Sequence, residues 1–184
     1  EISKKFKNIK FIARKGERSL SRSCTDGFKI ASKKFILVMD ADLQHKPKYI
    51  PSLYEQITND NLDIVIASRF LSKLSKINFG YLRRQISLLA VSIVNIVIDI
   101  KVTDPLSGFF IINRNYLFKF INKLNNKGFK ILLEIIIKSS MRPKLREIPI
   151  DFDKRNKDQS KLNLNVIINF IHLLLIKIFS KNNY

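Results

Sequence analysis

The sequence predicts an α/β domain built on a mostly parallel sheet with helices on its faces. Short apolar runs at Phe35–Met39 and Asp63–Ser68 are typical of buried strands, because they are rich in branched residues and end abruptly in polar ones. A helical segment lies between them. Strand–helix–strand order is that of a βαβ unit, in which the two strands run parallel.

The other elements follow along the chain. The pattern predicts a strand over Asn8–Ala13 and a helix over Ser19–Ser32. A further helix begins at Pro47 and continues to Thr58, since proline is tolerated in the first turn of a helix and excluded later. Downstream, the predicted elements are a long apolar helix at Tyr81–Ile100, a strand at Phe109–Ile112, helices at Asn115–Leu124 and Ile131–Ser139, a strand at Leu145–Phe152 and a polar loop at Arg155–Lys161.

Composition excludes several classes of protein. Of the 184 residues, 46% are apolar, which is enough to bury a core and argues against disorder. The single cysteine, Cys24, cannot build a disulfide framework. The 34 Lys and Arg outnumber the 15 Asp and Glu, for a net charge of +19. Such a charge predicts a polyanionic partner: nucleic acid, a phosphorylated small molecule or an anionic membrane.

Two apolar segments fall short of a membrane span. Ile86–Ile98 and Val166–Phe179 are both interrupted by polar residues and shorter than the roughly 18 apolar residues that a span requires. Either segment fits a core helix. Because both are apolar nearly all round and flanked by Lys and Arg, an interfacial helix on an anionic membrane is the open alternative.

The strongest chemical signal is a pair of carboxylates at the end of a predicted strand. Asp40 and Asp42 follow the first buried strand directly, where parallel sheets bind their ligands. Oxygen ligands at i and i+2 suit Mg²⁺ or Mn²⁺, and Gln44 adds a neutral oxygen. The alternative is an Asx turn that caps the following helix.

Basic residues form a second group. Arg69 ends the next buried strand and is therefore expected at the same edge of the sheet. Arg83 and Ser87 lie one helical turn apart, so a guanidinium and a hydroxyl could bind one phosphate together. In a chain this basic, most Lys and Arg are solvated surface, and that remains the alternative for each arginine taken singly.

These motifs occur in a specific order along nearly the whole chain. The series resembles the dolichol-phosphate mannosyltransferase (polyprenol-monophosphate mannose synthase) branch of the family 2 glycosyltransferases. The segments that carry the resemblance are Arg14 with Leu20, Gly27 and Ala31, then Val38–His45, Ile64–Phe70, Asp104–Phe110, Gly128–Glu134, and Arg155 with Ser160–Leu162.

The resemblance implies a GT-A, Rossmann-like fold, a nucleotide-sugar donor, usually GDP-mannose, and a polyprenyl monophosphate acceptor. It also implies the sugar's transfer with inversion. The implied roles are metal binding by Asp40, Asp42 and Gln44 with Mg²⁺ or Mn²⁺, catalysis by Asp40, Asp42 and Arg69, donor-diphosphate binding by Arg14, Asp40, Arg155 and Lys161, and acceptor-phosphate binding by Arg69, Arg83 and Ser87.

The resemblance also sets the expected domain organisation. The Pro-Thr-Tyr-Asn-Glu segment that opens the family is absent before Ile9, so residues 1–162 are expected to form a GT-A catalytic domain without its first βαβ portion. Residues 163–184 are expected to form an amphipathic or interfacial helix, peripheral to the cytoplasmic face of a membrane. Asp158 and Gln159 stand where the family loop commonly has a glycine.

Two alternatives remain. The first is a related transferase that moves glucose or aminoarabinose onto undecaprenyl phosphate. The second is a basic fragment without enzymatic activity that binds nucleic acid or membrane. Nucleic acid is not the expected partner, because the predicted strands end in acidic residues and the basic residues are not interleaved with aromatic ones on a known nucleic-acid motif.

Overall fold

The computed structural model describes residues 5–13, 19–41, 44–72, 91–96, 100–124, 130–139 and 141–151. These residues contain a four-stranded sheet in the order β1-β3-β2-β4. The strands are β1 (Phe35–Val38), β2 (Ile64–Ser68), β3 (Phe110–Asn113) and β4 (Leu145–Pro149).

The sheet is mixed. β3 lies between β1 and β2 and runs antiparallel to both, whereas β4 pairs with β2 in parallel. β1, β2 and β4 therefore share one direction, as the predicted βαβ unit requires. The insertion of β3 between β1 and β2 is a feature that the strand–helix–strand pattern did not indicate, because that pattern fixes strand direction and not adjacency.

Helices cover the sheet. They are α1 (Leu20–Ile30), α2 (Ile50–Asn59), α3 (Arg114–Phe118) and α4 (Ile131–Lys138), with short 3₁₀ helices at Pro47–Tyr49 and Ile121–Lys123. α1 begins where predicted because the Ser19 hydroxyl accepts a hydrogen bond from the Arg22 N–H. The helix predicted over Asn115–Leu124 is divided between α3 and a 3₁₀ turn.

Alternate residues of the central strands point into two separate apolar cores. Ile64 and Ile66 of β2 join one core with residues of α1 and α4. Val65 and Ala67 join the other core with Leu53 of α2. All five residues of β2 are buried, which places this strand at the centre of a three-layer α/β arrangement and confirms the predicted fold class.

The strand predicted over Asn8–Ala13 is wrong. Among the described residues no strand pairs with this segment, and Ile9, Phe11 and Ile12 are exposed. An extended segment without a neighbour leaves its backbone groups to water, so the apolar pattern alone does not make a strand. The last strand, predicted over Leu145–Phe152, ends at Pro149; the N–H of Ile150 still donates to the carbonyl of Ser68, and Phe152 lies outside the described residues.

Several predictions lie outside the described residues. These are the roles of Arg14, Asp42, Arg83, Ser87, Arg155 and Lys161, and the helix at residues 163–184. Of the predicted helix at Tyr81–Ile100, the structure describes residues 91–96, which are helical. No described helix combines the length and the apolar character needed to cross a membrane.

Candidate active site

The ends of β1 and β2 and the start of β3 meet at one edge of the sheet. Asp40 follows β1, and its carboxylate lies directly against Gly108, where a Cβ would stand only 2.2 Å from Oδ2. Gly108 is thus required by close approach rather than by a turn. At the same edge the N–H of Ala67 in β2 donates to the carbonyl of Phe109 over 3.0 Å. The antiparallel β3 therefore enters the sheet where the two parallel strands leave it.

Arg69 and Asp104 form a buried, bidentate ion pair at this edge. Arg69 Nε and Nη2 each donate to one oxygen of Asp104 over 2.7 Å, and the backbone N–H of Arg69 donates to the same carboxylate over 3.1 Å. The Asp104 side chain is completely buried, whereas that of Arg69 keeps 20% of its surface exposed. The guanidinium is thus fixed in orientation by its ion pair.

The charge of Arg69 is stabilised by two carboxylates. Burial alone would lower the pKa of its guanidinium, but attraction by Asp104, the hydrogen bonds to Asp104 and attraction by Asp40 raise that pKa above its ordinary value. Asp40 is therefore close enough to act on Arg69. The structure brings together these two residues, which the sequence had placed at the ends of neighbouring parallel strands.

Behind this pair lies a polar network that the sequence did not single out. The carboxylate of Glu147 accepts hydrogen bonds from the backbone N–H groups of Thr103 and Asp104 over 2.8 and 3.0 Å, and from Thr103 Oγ1 over 2.9 Å. Ser68 Oγ lies 2.6 Å from Thr103 Oγ1. We call these residues the Arg69 cluster: Ser68, Arg69, Thr103, Asp104 and Glu147.

Ser107 fastens the turn before β3 to the sheet. Its hydroxyl donates to the carbonyl of Ala67 over 2.9 Å and accepts from the N–H of Phe109 over 3.1 Å. The buried Ser107 thus satisfies backbone groups on both strands at the point where they part. The Asp-Pro-Leu-Ser-Gly segment carried the family resemblance, but its sequence did not reveal which strand each of its side chains would contact.

Two of the residues after β1, Asp40 and Gln44, carry oxygen atoms of the kind that bind divalent cations. Gln44 is half-buried, and His45 is 4% exposed, with its ring 5.2 Å from that of Phe109. Asp40 and Gln44 offer carboxylate and amide oxygens, which suit Mg²⁺ or Mn²⁺. No group of three acidic, His or Cys side chains gathers among the described residues, and the predicted ligand Asp42 lies outside them. The part of the predicted ligand set that is described fits a hard divalent cation.

Cys24 lies on α1 and packs against the core. Burial raises the pKa of its thiol to about 11, and the charge of Asp40 contributes in the same direction. A thiol with so high a pKa is almost entirely protonated at neutral pH and is a poor nucleophile. This agrees with the expectation that Cys24 has a structural rather than a chemical role.

A second polar cluster connects the segment before α2 with the end of β4. Tyr49 donates its hydroxyl proton to Asp151 Oδ2 over 3.0 Å and accepts a hydrogen bond from the Asp151 N–H over 2.9 Å. The Ser72 hydroxyl donates to Asp151 Oδ1 over 3.0 Å. These hydrogen bonds lower the pKa of Asp151, with a smaller contribution from Lys48.

In open α/β sheets, ligands bind outside the carboxyl ends of the parallel strands, and Asp40 and Arg69 both lie at these ends. The family model described as glycosyl transferase family 2 matches residues 1–121, and the chain belongs to this family. The predicted GT-A-like fold is confirmed by the similarity of this chain to solved structures. Glucosyl-3-phosphoglycerate synthase from Mycobacterium tuberculosis, solved with Mn²⁺, UDP-glucose and phosphoglyceric acid, superposes with a TM-score of 0.62 at 13% identity, over 88% of this chain and 55% of that one.

The chain is also similar to dolichol-phosphate mannosyltransferases. It is 39% identical to the Pyrococcus furiosus enzyme over 93% of this chain and 48% of that protein. It is 31% identical to the enzyme of Mycosarcoma maydis and 32% identical to that of Saccharomyces cerevisiae, in each case over 91% of this chain, and it covers 57% and 63% of those proteins. The chain thus spans about half to two thirds of the length of these relatives. The resemblance found in the motifs is confirmed.

Proposed function

We propose that this chain is the catalytic part of a hexosyltransferase that moves a sugar from a nucleotide diphosphate onto a polyprenyl, dolichol-type monophosphate. The similarity to three dolichol-phosphate mannosyltransferases supports this activity and favours mannose, and therefore GDP-mannose as the donor. The observation that carries the proposal is the oriented guanidinium of Arg69 beside Asp40 at one edge of the sheet.

The geometry around Arg69 suits a phosphate monoester. Asp104 accepts from two N–H groups of the guanidinium and fixes its plane, while 20% of the Arg69 side-chain surface stays exposed. We propose that Arg69, with Arg83 and Ser87, binds the acceptor phosphate.

We propose that Asp40, Asp42 and Gln44 hold Mg²⁺ or Mn²⁺ with the donor diphosphate. When bound, such a cation would stabilise the charge that develops on the departing diphosphate. The structure of glucosyl-3-phosphoglycerate synthase with Mn²⁺ and UDP-glucose supports this proposal by analogy of fold. Arg14, Arg155 and Lys161 are proposed to bind the same diphosphate by charge.

In the proposed reaction, an oxygen of the acceptor phosphate attacks the anomeric carbon as the bond from that carbon to the donor diphosphate breaks. The nucleoside diphosphate leaves with the electron pair, and attack from the opposite side inverts the configuration. No general base is required, because a phosphate monoester has its second pKa near 6 and is largely dianionic at neutral pH. Arg69 would position this nucleophile.

A transfer assay tests the proposal. Polyprenyl phosphate is incubated with radiolabelled GDP-mannose, UDP-glucose or UDP-N-acetylglucosamine in parallel, and label in the lipid phase is counted. We expect transfer from GDP-mannose only, dependent on Mg²⁺ or Mn²⁺. Transfer from UDP-glucose instead would favour the undecaprenyl-phosphate glucosyltransferase alternative, and no transfer from any donor would overturn the proposal.

A matched pair of variants locates the activity. Asp40→Asn removes the charge at the end of β1, and we expect a loss of transfer on the order of 100-fold or more. Asp60→Asn removes a carboxylate that is 38% exposed and pairs with Arg146 at the surface, and we expect no change. Equal activity of the two variants would remove Asp40 from the reaction.

We also propose that the basic surface binds an anionic membrane from the cytoplasmic side. The net charge of +19 supports this, as does an acceptor whose tail lies in lipid. Sedimentation with phosphatidylserine vesicles should be strong at low salt and weak at high salt, with little binding to phosphatidylcholine vesicles. Salt-sensitive binding to DNA without retention on either vesicle would favour the nucleic-acid alternative.

A further inference from the structure

Glu147 occupies an unusual place in β4. It lies opposite Ile66 in the parallel register with β2. Its side chain reaches past the sheet edge to the turn before β3, where it accepts three hydrogen bonds, from both the N–H and the hydroxyl of Thr103 and from the N–H of Asp104. One carboxylate therefore satisfies two consecutive peptide N–H groups.

Those two peptide groups belong to irregular backbone. Residues 101–104 form neither helix nor strand, so the N–H groups of Thr103 and Asp104 have no ladder that would fix them. A pair of peptide planes held by the same carboxylate has little freedom to rotate. Glu147 thus sets the backbone from which the Asp104 side chain projects.

Asp104 passes this constraint to Arg69. Its carboxylate is completely buried and accepts from the backbone N–H, Nε and Nη2 of Arg69. A bidentate pair fixes the plane of the guanidinium as well as its position. The chain of contacts runs from Glu147 through the Asp104 backbone and carboxylate to the guanidinium of Arg69.

The hydroxyl groups of Thr103 and Ser68 extend this hydrogen-bond network. Thr103 Oγ1 donates its one proton to Glu147, so in the contact with Ser68 the proton comes from Ser68. Ser68 Oγ in turn accepts from the N–H of Phe70 over 3.3 Å. Along this path from Phe70 through Ser68 and Thr103, each donor points toward Glu147, where the path ends.

The negative charge of Glu147 is not favourable for stability in this place. Burial raises the pKa of its carboxyl, the hydrogen bonds from Thr103 and Asp104 lower it, and repulsion by Asp104 raises it again. Three converging hydrogen bonds nevertheless hold the carboxylate in one position.

We infer that Glu147 is a positioning residue that sets the guanidinium of Arg69 for a phosphate monoester acceptor. Glu147 contacts the Thr103–Asp104 backbone and touches no reacting atom. The inference rests on the proposed function for the identity of the ligand, whereas the coupling of Glu147 to Arg69 rests on the contacts alone.

The first test separates binding from turnover. Glu147→Gln keeps the shape but presents an amide N–H₂ to donors that need an acceptor. We expect the KM for polyprenyl phosphate to rise about 10-fold, with the KM for the nucleotide sugar unchanged. The matched control is Glu55→Gln on the exposed face of α2, which should change neither KM. A loss of kcat with both KM values unchanged would indicate a merely structural role and overturn the inference.

A second variant covers a failure of Glu147→Gln to fold. Thr103→Val removes one of the three hydrogen bonds to Glu147 and keeps the backbone donors. We expect a smaller rise of the same KM, and Thr103→Ser, which restores a hydroxyl, should return to the wild-type value. Equal KM values for Thr103→Val and wild type would contradict the inference.

A readout without activity distinguishes this inference from the proposed function. Hydrogen exchange of the Arg69 Nε–H, followed by nuclear magnetic resonance, should be slow in the wild type and at least several-fold faster in Glu147→Gln. If the wild type transfers no sugar, the proposed function fails and the exchange rates still decide the coupling. Unchanged exchange in Glu147→Gln would overturn the role of Glu147 even in an active enzyme.

Discussion

The ends of β1 and β2 lie at the same end of the sheet on either side of β3, yet they are built differently. At the end of β2, Arg69 is held by a fully buried carboxylate, and a second carboxylate holds the backbone of the first. At the end of β1, Asp40 is half-buried and rests against the bare backbone of Gly108. The comparison indicates that the β2 end is organised by directed hydrogen bonds before any ligand arrives, whereas the β1 end is defined by the close packing of Asp40 on Gly108.

This contrast fits the chemistry of the two proposed ligands. A phosphate monoester is recognised by directed hydrogen bonds, which gain from a guanidinium of fixed orientation. A divalent cation instead gathers oxygen ligands around itself and supplies its own charge to the site.

The largest expected effect comes from removing the ion pair between Arg69 and Asp104 at the end of β2. Arg69→Met leaves the buried Asp104 without its cation and should lower the free energy of unfolding by about 3–5 kcal/mol. Arg146→Met is the control, because Arg146 and its partner Asp60 are 45% and 38% exposed. We expect a loss of at most about 1 kcal/mol there. Urea denaturation measures both, and equal losses would contradict the preorganised view of Arg69.

The β1 end should respond in activity more than in stability. Gly108→Ala places a methyl group against the Asp40 carboxylate and displaces it, and a displacement of about 1 Å is enough for a loss of activity on the order of 100-fold. Its stability should fall by about 1–3 kcal/mol. kcat/KM and urea denaturation are measured together.

Gly27→Ala is the matched control for this substitution. Nothing lies within 4 Å of a Cβ at Gly27, which is in the interior of α1. Alanine there should stabilise the protein by about 0.5–1 kcal/mol and leave kcat/KM unchanged. Wild-type kcat/KM in Gly108→Ala would show that the close approach of Asp40 to Gly108 is not needed for transfer.

A smaller effect is expected on the reactivity of the Cys24 thiol, which the charge of Asp40 at the end of β1 influences. With a pKa of about 11, the thiol of Cys24 should react with iodoacetamide at pH 8 about 100-fold more slowly than an ordinary cysteine. Asp40→Asn removes only the lesser cause of the raised pKa, so the rate should rise less than about tenfold. Mass spectrometry follows the reaction, and the urea-unfolded chain is the reference. A rate in the folded protein equal to that reference would contradict the buried thiol.

The smallest effect concerns Asp151, which connects the segment after the β1 end with the chain that leaves β4. Its folded pKa is lowered by hydrogen bonds from Ser72 and Tyr49. Its contribution to stability is therefore complete above the unfolded pKa of about 4 and is lost as the pH falls through the lower folded value. The stability difference between wild type and Asp151→Asn should shrink from pH 6 to pH 2.

Tyr49→Phe provides the control for this pH dependence. It removes both hydrogen bonds between the Tyr49 hydroxyl and Asp151, one of them to the carboxylate, and keeps the ring. The loss of stability at low pH should therefore become weaker. Thermal unfolding across the pH range measures all three proteins. A difference between wild type and Asp151→Asn that is independent of pH would contradict the lowered pKa.

Much of the fold could be predicted because its signals are local. The strands β1 and β2 are short runs of residues with branched side chains. α1 begins after a serine cap, and α2 has a proline in its first turn. The sequence also placed Asp40 and Arg69 at one edge, since strand direction alone decides that. The position of β3 between β1 and β2 depends on pairing between distant residues, for which the chain carries no local signal.

The supporting residues of the site were missed for the same reason. Glu147 is one acidic residue in an ordinary strand pattern, and its importance arises from two backbone N–H groups far away in the chain. The segment Asn8–Ala13 shows the opposite error, because its apolar pattern suits a strand but no described strand pairs with it. The residue pattern of a segment indicates the secondary structure that it favours, whereas the strands available for pairing determine whether that structure forms.

The long-range character of the Arg69 cluster has a consequence for the order of folding. Arg69 meets Asp104 across 35 residues, and Thr103 meets Glu147 across 44. Contacts of this separation form late, because the entropy of loop closure must be overcome before any contact rewards it. During synthesis the helices near the start of the chain can form early. The guanidinium of Arg69 reaches its final orientation only after β4 has left the ribosome, so we expect it among the last features of the domain to become ordered.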